Sequence, residues 1–358
     1  MTNQEYPTRF RAAILVETGQ PLVVDEIEFK GPLRAGQVFV KVFYSGICGS
    51  QLGEIDGKKG KDNYLPHLLG HEGSGEVMAV GPGVRFVSPG DKVVMHWRKG
   101  SGIDAAPPAY QWQGKKLNAG FVTTFNEYAV VSENRLTVIS ESDMAMDIVP
   151  LMGCAVTTGL GVIENNAQVR IGESVVVLGA GGVGLNMIQG AAMSSAHPVV
   201  AVDIHENRLD MAELFGATHL IKSGAGVDLA AELDRVLDGK GADVIIDNTG
   251  NTDMINLAYS LTRPAGRTIL VGVPKKDDNI SVYSLDLHFG KILTGSHGGE
   301  TDPSTDIPRY VNLYKNRKLL LDSLITDRFE LSEINTAIDR MKDGTTAGRC
   351  VINMHKED

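Results

Sequence analysis

Short β-branched runs separated by turn residues dominate the first third of the chain. The runs are RAAILVETG, LVVDEIEF, QVFVKVFYSGI, GSGEVMAVG and DKVVMHW, and each is bounded by Gly, Pro or Asp. Runs of this kind are typical of β-strands. They predict a β-rich first region, in which residues 98–120 form a long irregular loop.

From about residue 155 the pattern changes, because strand-like runs now alternate with helix-length segments. The run SVVVLG precedes GLNMIQGAAMSS, PVVAVDI precedes ENRLDMAELFG, and DVIIDNTG precedes TDMINLAYSLT. The strand segments are almost wholly apolar. This alternation predicts an α/β region with a parallel sheet that helices cover on both faces.

After about residue 297 the chain leaves this alternation. The segment LSEINTAIDRMKDG predicts one helix, with Ser332 as its N-cap and Gly344 at its end. The segment RCVINM predicts a closing strand.

Composition refines this picture. A length of 358 residues favours about two domains. The net charge of −10 comes without any basic block, which argues against a nucleic-acid partner. The opening MTNQEYPTRFRAA is polar and lacks the apolar core of a signal peptide. No apolar run has the ~18 residues that a membrane helix needs. The three widely spaced cysteines form no disulfide framework. We therefore expect a cytoplasmic protein.

The segment VVVLGAGGVGLNMI contains a dinucleotide fingerprint. Gly179, Gly181 and Gly184 follow an apolar strand and open a helix, and Asp203 ends the next strand. Gly179 permits the tight turn, Gly181 lets the backbone approach a pyrophosphate, and Gly184 lets strand and helix pack closely. The free N–H groups of the helix would bind the phosphates. Asp203 would accept from ribose hydroxyls and repel a 2′-phosphate, which favours NAD over NADP, although Arg208 weakens that preference.

Two cysteines and a histidine form a candidate metal set. Cys48 lies in GICGSQ, His71 in LGHEGSGEV and Cys154 in LMGCAVTTGLG. Two thiols and an imidazole suit a catalytic zinc with an open fourth position. Each residue also has a plainer interpretation, since free cysteines are commonly buried packing residues. Spacing alone does not bring the three together.

At this point the chain resembles the zinc-dependent alcohol dehydrogenase branch of the medium-chain dehydrogenase/reductase superfamily. The resemblance covers nearly the whole length and rests, in order, on GICGS, GHEGSGEVMAVGPGV, GDKVV, GCAVTTGLG, VLGAGGVG, VDI and AGRCVI. It implies a GroES-like catalytic domain over residues 1–155 and 297–358, and a Rossmann domain with a doubly wound parallel sheet over 156–296. The active site is expected in the cleft between them.

The resemblance also implies roles for individual positions. The zinc ligands would be Cys48, His71 and Cys154, with Glu72 beside the metal and Ser50 relaying the substrate proton. The residues that would contact NAD are Thr158, Gly179, Gly181, Gly182, Val183, Gly184, Asp203, Ile204, Arg208, Val271, Val273 and Arg349. Trp97 would line the substrate pocket, whereas Cys350 matches no functional position.

The chain departs from the family pattern in three places. Most zinc-dependent relatives carry four closely spaced cysteines for a structural zinc, but WRKGSGIDAAPPAYQWQGKKLNAG has none, so we expect one zinc per subunit and a loop held by packing. Gln51 stands where relatives usually have an aspartate behind the zinc histidine. Gly53 stands where some relatives end the proton relay with a histidine.

These observations predict hydride transfer between an alcohol and NAD. The polar residues of the 98–120 loop (Arg98, Lys99, Ser101, Asp104, Lys115) favour a polyol, a sugar derivative or a phosphorylated alcohol, although a simply solvated loop is also consistent with them. One alternative is a zinc-independent quinone or enoyl reductase, which the metal set opposes. Another is a non-catalytic NAD-binding protein. The resemblance implies a homodimer or homotetramer.

Overall fold

Residues 6–355 are described by a computed structural model, whereas 1–5 and 356–358, the outer ends of the predicted catalytic domain, lie outside the described residues. The chain divides into two compact units, and one of them is built from two separate stretches of the sequence. The first unit comprises Met1–Cys154 and Asp302–Asp358, and the second comprises Ala155–Thr301.

The strands follow in chain order. They are β1 Arg9–Leu15, β2 Val23–Glu28, β3 Gln37–Gly46, β4 His67–Leu68, β5 Gly73–Val80, β6 Lys92–Met95, β7 Tyr110–Trp112, β8 Lys115–Leu117, β9 Tyr128–Ser132, β10 Leu136–Val138, β11 Val175–Leu178, β12 Val199–Asp203, β13 His219–Lys222, β14 Ala242–Asp247, β15 Thr262–Leu270, β16 Ile292–Gly295, β17 Ile325–Glu330 and β18 Arg349–Asn353.

The helices are distributed over both units. The α-helices are α1 Gly49–Ile55, α2 Ala155–Gly161, α3 Gly182–Met193, α4 Glu206–Leu214, α5 Leu229–Val236, α6 Thr252–Leu261, α7 Leu285–His288, α8 Pro303–Lys315 and α9 Ile334–Lys342. A π-helical turn spans Val162–Ala167, and 3₁₀ turns span Glu133–Arg135, Val149–Gly153, Gly298–Glu300, Asp322–Leu324 and Leu331–Glu333.

Two sheets form the first unit. One has the order β4-β1-β2-β7-β8, and the other has the order β10-β6-β5-β3-β18-β17 with β9 also paired to β3. Alternate residues of β3, such as Val38, Val40 and Val42, enter one apolar core, while Phe39 enters a second. The antiparallel pairing of β3 with β5 sets Ser45 opposite Gly73. That register brings the segment after β3 next to the segment before β5.

The second unit contains a six-stranded sheet in the order β13-β12-β11-β14-β15-β16, with every pair parallel. All residues of β11 and β12 are buried, as expected for strands covered on both faces. The order reverses between β11 and β14, and ligands bind at such a switch point, outside the carboxyl ends of the strands. The predicted α/β fold class, a β-rich unit with a Rossmann-type parallel sheet, is confirmed.

Some local predictions differ from the structure. The 98–120 region is not wholly irregular, because β7 and β8 form a hairpin whose turn residues Gln113 and Gly114 both have positive φ. Ser332 does not cap a helix, since it lies inside a 3₁₀ turn and Glu333 is the N-cap of α9. Throughout residues 6–355, no helix is both long and apolar enough to cross a membrane.

Candidate metal and cofactor sites

Cys48, His71 and Cys154 come together in the first unit. Cys48 follows β3 and His71 precedes β5, so the β3–β5 register brings them close. Cys154 follows a 3₁₀ turn that ends at Gly153, where a Cβ would lie 2.4 Å from the carbonyl oxygen of Met95. One ligand atom from each of the three residues lies within 4.8 Å of the others, and the two sulfurs are 3.8 Å apart.

The donor atoms of this cluster suit zinc. Both thiols are buried, and Nε2 of His71 is buried without a hydrogen-bond partner in the described part of the chain. A buried imidazole nitrogen without a partner is costly unless it binds something. Two sulfurs and one nitrogen are the ligand types of catalytic zinc sites that keep a fourth position open.

The groups around Cys48 lower the pKa of its thiol. The neighbouring Cys154 thiol lowers the pKa of Cys48 well below its usual value, His71 and the charge of Arg349 lower it further, and burial opposes them. Metals bind the thiolate rather than the thiol. The surroundings of Cys48 therefore favour the ligating form.

Ser50 and Gln51 occupy the first turn of α1, which starts just after Cys48. The Ser50 hydroxyl donates to the Cys48 sulfur at 3.5 Å, and Ser50 is half-buried. Gln51 is buried, and its side-chain oxygen accepts from the backbone N–H of Cys48 at 3.1 Å. The side-chain nitrogen of Gln51 has no partner among residues 6–355. Gln51 thus fixes the backbone of the loop that carries Cys48. Ser50 places its hydroxyl group against the sulfur of Cys48, one of the three candidate metal ligands.

Glu72 and Arg349 form a buried ion pair behind His71. Val351 pairs with Gly46 across β18 and β3, and this register brings Arg349 to the same end of the sheet as Cys48. Arg349 donates to one oxygen of Glu72, and both side chains are almost fully buried. The other Glu72 oxygen and Nε of Arg349 lack partners within the described residues. A Cβ at Gly46 would lie 2.8 Å from Glu72, so glycine is needed there.

Trp97 directly precedes residues 98–120. Polar side chains that follow β9 form hydrogen bonds to this part of the chain. Arg135 donates to the carbonyl of Trp97. The buried carboxylate of Glu133 accepts from the backbone N–H groups of Phe86 at 2.9 Å and Ile103 at 2.8 Å, and also from that of Arg85. These bonds tie the segment at Arg85 and Phe86 to the loop at Ile103. Sequence analysis missed Glu133 because an acidic residue beside a strand gives no local signal.

The glycine turn of the second unit fits a dinucleotide phosphate. Gly179 has a φ of +95°, and a Cβ at Gly184 would lie 2.0 Å from the Gly179 carbonyl oxygen. A Cβ at Gly181 would meet nothing within 4 Å, so the backbone there faces open space at the N-terminus of α3. Gly182 and Val183 form the first turn of this helix. The free N–H groups of a helix start are a natural phosphate site.

Asp203 lies at the end of β12, beside this turn. Its carboxylate accepts from the backbone N–H groups of Ala180 at 2.8 Å and His205 at 3.0 Å. A carboxylate has about four lone-pair sites, so acceptor capacity remains for ribose hydroxyls. The Arg208 guanidinium lies 3.7 Å from the same carboxylate, and Ile204 is 60% exposed.

The remaining predicted cofactor contacts lie at two places in the second unit. Thr158 is buried on α2, and its hydroxyl has no partner in residues 6–355. Val271 and Val273 follow β15, and Val273 is 62% exposed. Asn248 was not predicted, yet its side chain donates to the Gly179 carbonyl at 3.3 Å. Its position directly after β14, the neighbour of β11, was the available signal.

Comparisons with known proteins agree with this geometry. Residues 34–141 match the alcohol dehydrogenase GroES-like domain, and residues 182–316 match the zinc-binding dehydrogenase family. The S-(hydroxymethyl)glutathione dehydrogenase of Paracoccus denitrificans is 32% identical over 96% of this chain and 100% of its own length.

Solved structures also superpose on nearly the whole chain. Benzyl alcohol dehydrogenase from Acinetobacter calcoaceticus superposes with a TM-score of 0.87 at 28% identity, over 98% of this chain and 100% of its own. A zinc-binding alcohol dehydrogenase domain protein from Burkholderia ambifaria also has a TM-score of 0.87, at 27% identity over 97% of this chain and 99% of its own. The chain therefore belongs to the zinc-type alcohol dehydrogenases of the medium-chain dehydrogenase/reductase superfamily, oxidoreductases that use zinc and NAD.

Proposed function

We propose that this protein oxidises a polar alcohol with NAD, or reduces the matching carbonyl compound, at a zinc held by Cys48, His71 and Cys154. The observation that carries the proposal is the convergence of these three side chains within 4.8 Å. The buried, unpartnered Nε2 of His71 supports it. When bound, zinc supplies a Lewis acid that lowers the pKa of an alcohol, and NAD supplies the hydride acceptor.

The protein's own groups handle the proton and orient the site. Ser50 is proposed to accept the alcohol proton at Oγ and to pass it to water, because its hydroxyl contacts Cys48 while the residue stays partly exposed. Glu72 and Arg349 support the metal set from behind. Following the family resemblance, Arg349 is also proposed to contact a phosphate of the cofactor, and its Nε–H has no partner among residues 6–355.

Binding of NAD is assigned to the second unit. The turn from Gly179 to Gly184 would hold the pyrophosphate, and Asp203 with Ile204 and Arg208 would hold the adenosine ribose. Thr158, Val271 and Val273 are proposed to contact the nicotinamide, and the unpartnered hydroxyl of Thr158 supports this.

The substrate class rests on the loop that begins at Trp97. The Arg98 guanidinium lies 5.9 Å from the centre of the Trp97 ring, which places a cation beside the proposed pocket aromatic. Lys99 and Asp104 form an ion pair with each other at 2.6 Å, so they support substrate binding less than the sequence suggested. A cation beside the Trp97 ring would suit a phosphorylated or otherwise polar alcohol.

A screen of NAD reduction at confirmed zinc occupancy tests the function. It would compare polyols, sugar alcohols, phosphorylated alcohols, simple alcohols, benzyl alcohol and S-(hydroxymethyl)glutathione. Turnover of a polar alcohol is expected, with KM raised for an anionic substrate in Arg98→Met but not in the control Lys99→Met. No turnover of any alcohol would overturn the dehydrogenase proposal, and preference for an apolar alcohol would overturn the substrate class.

A homo-oligomer is also proposed, through the edge of the second unit's sheet. Within residues 6–355, β15 is the one strand paired with β16, and apolar side chains around β16 are exposed, with Phe289 at 72% and Ile292 at 46%. An uncovered apolar edge strand is a template for pairing with another chain. Sedimentation equilibrium should find a dimer or larger assembly that Ile292→Lys dissociates. A monomeric wild-type protein would exclude it.

A further inference from the structure

Three side chains with metal-ligating atoms, used by none of the roles above, converge in the first unit. They are Glu54, Asp62 and His67, and one ligand atom of each lies within 4.8 Å of the others. Nε2 of His67 is 2.8 Å from an Asp62 oxygen and 4.0 Å from a Glu54 oxygen. Two ligands about 2.1 Å from one octahedral ion lie about 3.0 Å apart when cis and about 4.2 Å apart when trans. The observed separations suit a single ion.

The hydrogen bonding of His67 calls for a cation at this point. Its Nδ1 is 3.0 Å from the carbonyl oxygen of Leu68, which can only accept, so Nδ1 carries the proton of the neutral ring. The lone pair of Nε2 then faces carboxylates, which also only accept. Two acceptors 2.8 Å apart need a positive charge between them, either a second proton or a metal ion.

Two of the three ligands are already oriented as metal ligands usually are. A metal-binding histidine commonly donates its other N–H to a backbone carbonyl, as His67 does to Leu68. The second oxygen of Asp62 accepts from the backbone N–H of Tyr64 at 2.8 Å. The side chains of His67 and Asp62 are 9% and 13% exposed, whereas that of Glu54 is 34% exposed. An ion and its bound waters could therefore reach the cluster from the side on which Glu54 lies.

The local charge favours a divalent cation. Two carboxylates flank the His67 imidazole, and the Lys59 Nζ lies 3.4 Å from the second oxygen of Glu54. Lys58 is directed to Asp56 instead, at 3.2 Å. Two carboxylates and one imidazole suit a hard divalent ion such as Mn²⁺, whereas the thiols at Cys48 and Cys154 select softer metals such as zinc.

We propose that Glu54, Asp62 and His67 form a second divalent-cation site, in addition to the single zinc expected from the sequence. The ion would join the end of α1, the 56–66 connection and β4. α1 begins beside Cys48, and β4 ends three residues before His71, so the ion would brace the connection between two proposed zinc ligands.

Mn²⁺ binding to the zinc-loaded protein tests the site, because Mn²⁺ does not compete well for thiolates. Free Mn²⁺ would be measured by electron paramagnetic resonance at pH 8, and hydrogen exchange of residues 56–66 would be followed in parallel. We expect one saturable Mn²⁺ per chain and slower exchange in this connection. Affinity should fall roughly tenfold or more in His67→Gln and in Asp62→Asn. The control His219→Gln, which removes an exposed histidine of β13, should bind as wild type does.

Absence of saturable Mn²⁺ binding would overturn the proposal. Equal binding in wild type and both folded variants would also overturn it. Circular dichroism of each variant establishes folding, and either single variant is sufficient if the other does not fold. Zinc content at Cys48 is measured in the same samples, so failure here is distinct from failure of the dehydrogenase proposal.

Discussion

The side-chain oxygen of Gln51 accepts a hydrogen bond from the backbone N–H of Cys48, at 3.1 Å. The amide thus fixes the loop that carries a proposed zinc ligand, while its nitrogen is left buried without a partner in residues 6–355. The resemblance implies a carboxylate here in most relatives. Gln51 therefore retains a positioning role for Cys48 but contributes no charge near the metal.

Replacing Gln51 by glutamate should strengthen zinc binding. Gln51→Glu keeps the acceptor for Cys48 and adds a negative charge near the cation, so zinc release to a chelator should slow by roughly tenfold. Gln51→Met has a similar shape but no acceptor, and it should lower the free energy of unfolding by about 1–3 kcal/mol. Faster zinc loss from Gln51→Glu than from wild type would contradict this view of the residue.

Removal of one thiol should abolish zinc binding and activity together. Cys48→Ser and Cys154→Ser each remove a soft ligand, and kcat/KM should fall by roughly a thousandfold because the Lewis acid supplies several kcal/mol. The matched control is Cys350→Ser, since Cys350 is equally buried but contacts Thr346 rather than the cluster. Zinc by mass spectrometry should stay near one equivalent in the control. Unchanged turnover in Cys48→Ser would exclude zinc chemistry.

Neutralising Asp203 should relax the choice of cofactor. Asp203→Asn keeps a side chain of the same shape at the Ala180 N–H and removes the charge that would repel a 2′-phosphate. The ratio of kcat/KM for NAD to that for NADP should drop by roughly tenfold or more, since one charge interaction of this kind is worth over 1 kcal/mol. The control Asp210→Asn, an exposed residue of α4, should leave the ratio unchanged.

Glu133 should stabilise the loop that begins at Trp97. Glu133→Gln puts an amide nitrogen against backbone N–H groups such as that of Ile103, so the free energy of unfolding should fall by about 1–3 kcal/mol. Hydrogen exchange in the 98–105 segment should accelerate. The control Glu141→Gln alters an exposed carboxylate that pairs with Lys92, and it should cost less than about 1 kcal/mol. Equal effects of the two substitutions would refute the assignment.

His96 should make stability depend on pH. Burial, aided by the Arg135 charge, lowers the pKa of His96 from 6.5 to about 4. The unfolded chain therefore binds more protons between these values. The stabilisation is fully present above pH 6.5 and is lost as pH falls to 4, by up to about 3 kcal/mol. Denaturant unfolding of wild type and His96→Asn should show this slope only in wild type, with exposed His219→Gln behaving as wild type.

Local sequence predicted the strand–helix alternation of the second unit from β11 to β15, but not the edge strand β16. The strands of this unit are four to nine residues long and mostly apolar, and their register follows from parallel pairing between covering helices. The glycine turn is also specified by local sequence. Gly179 has a φ of +95°, which favours glycine, and Gly184 has no room for a Cβ atom beside the Gly179 carbonyl.

The metal cluster could be identified from sequence only through family resemblance. Cys48 and Cys154 are 106 residues apart, and nothing in either segment encodes their separation of 3.8 Å. The pairing of β3 with β5 and the 3₁₀ turn before Cys154 produce that proximity. The same holds for Glu133, whose buried carboxylate accepts from residues 30 and 47 positions away.

Sequence by itself thus established the two-unit α/β fold and the dinucleotide turn, since these depend on periodicity and on residues near one another in the chain, whereas the candidate metal ligands were identified through the family resemblance. Tertiary structure decided which atoms face each other. It paired Glu72 with Arg349, and it placed the sulfur of Cys48 3.8 Å from that of Cys154. Such pairings depend on strand register, which the summed packing of two sheets fixes and which no local segment specifies.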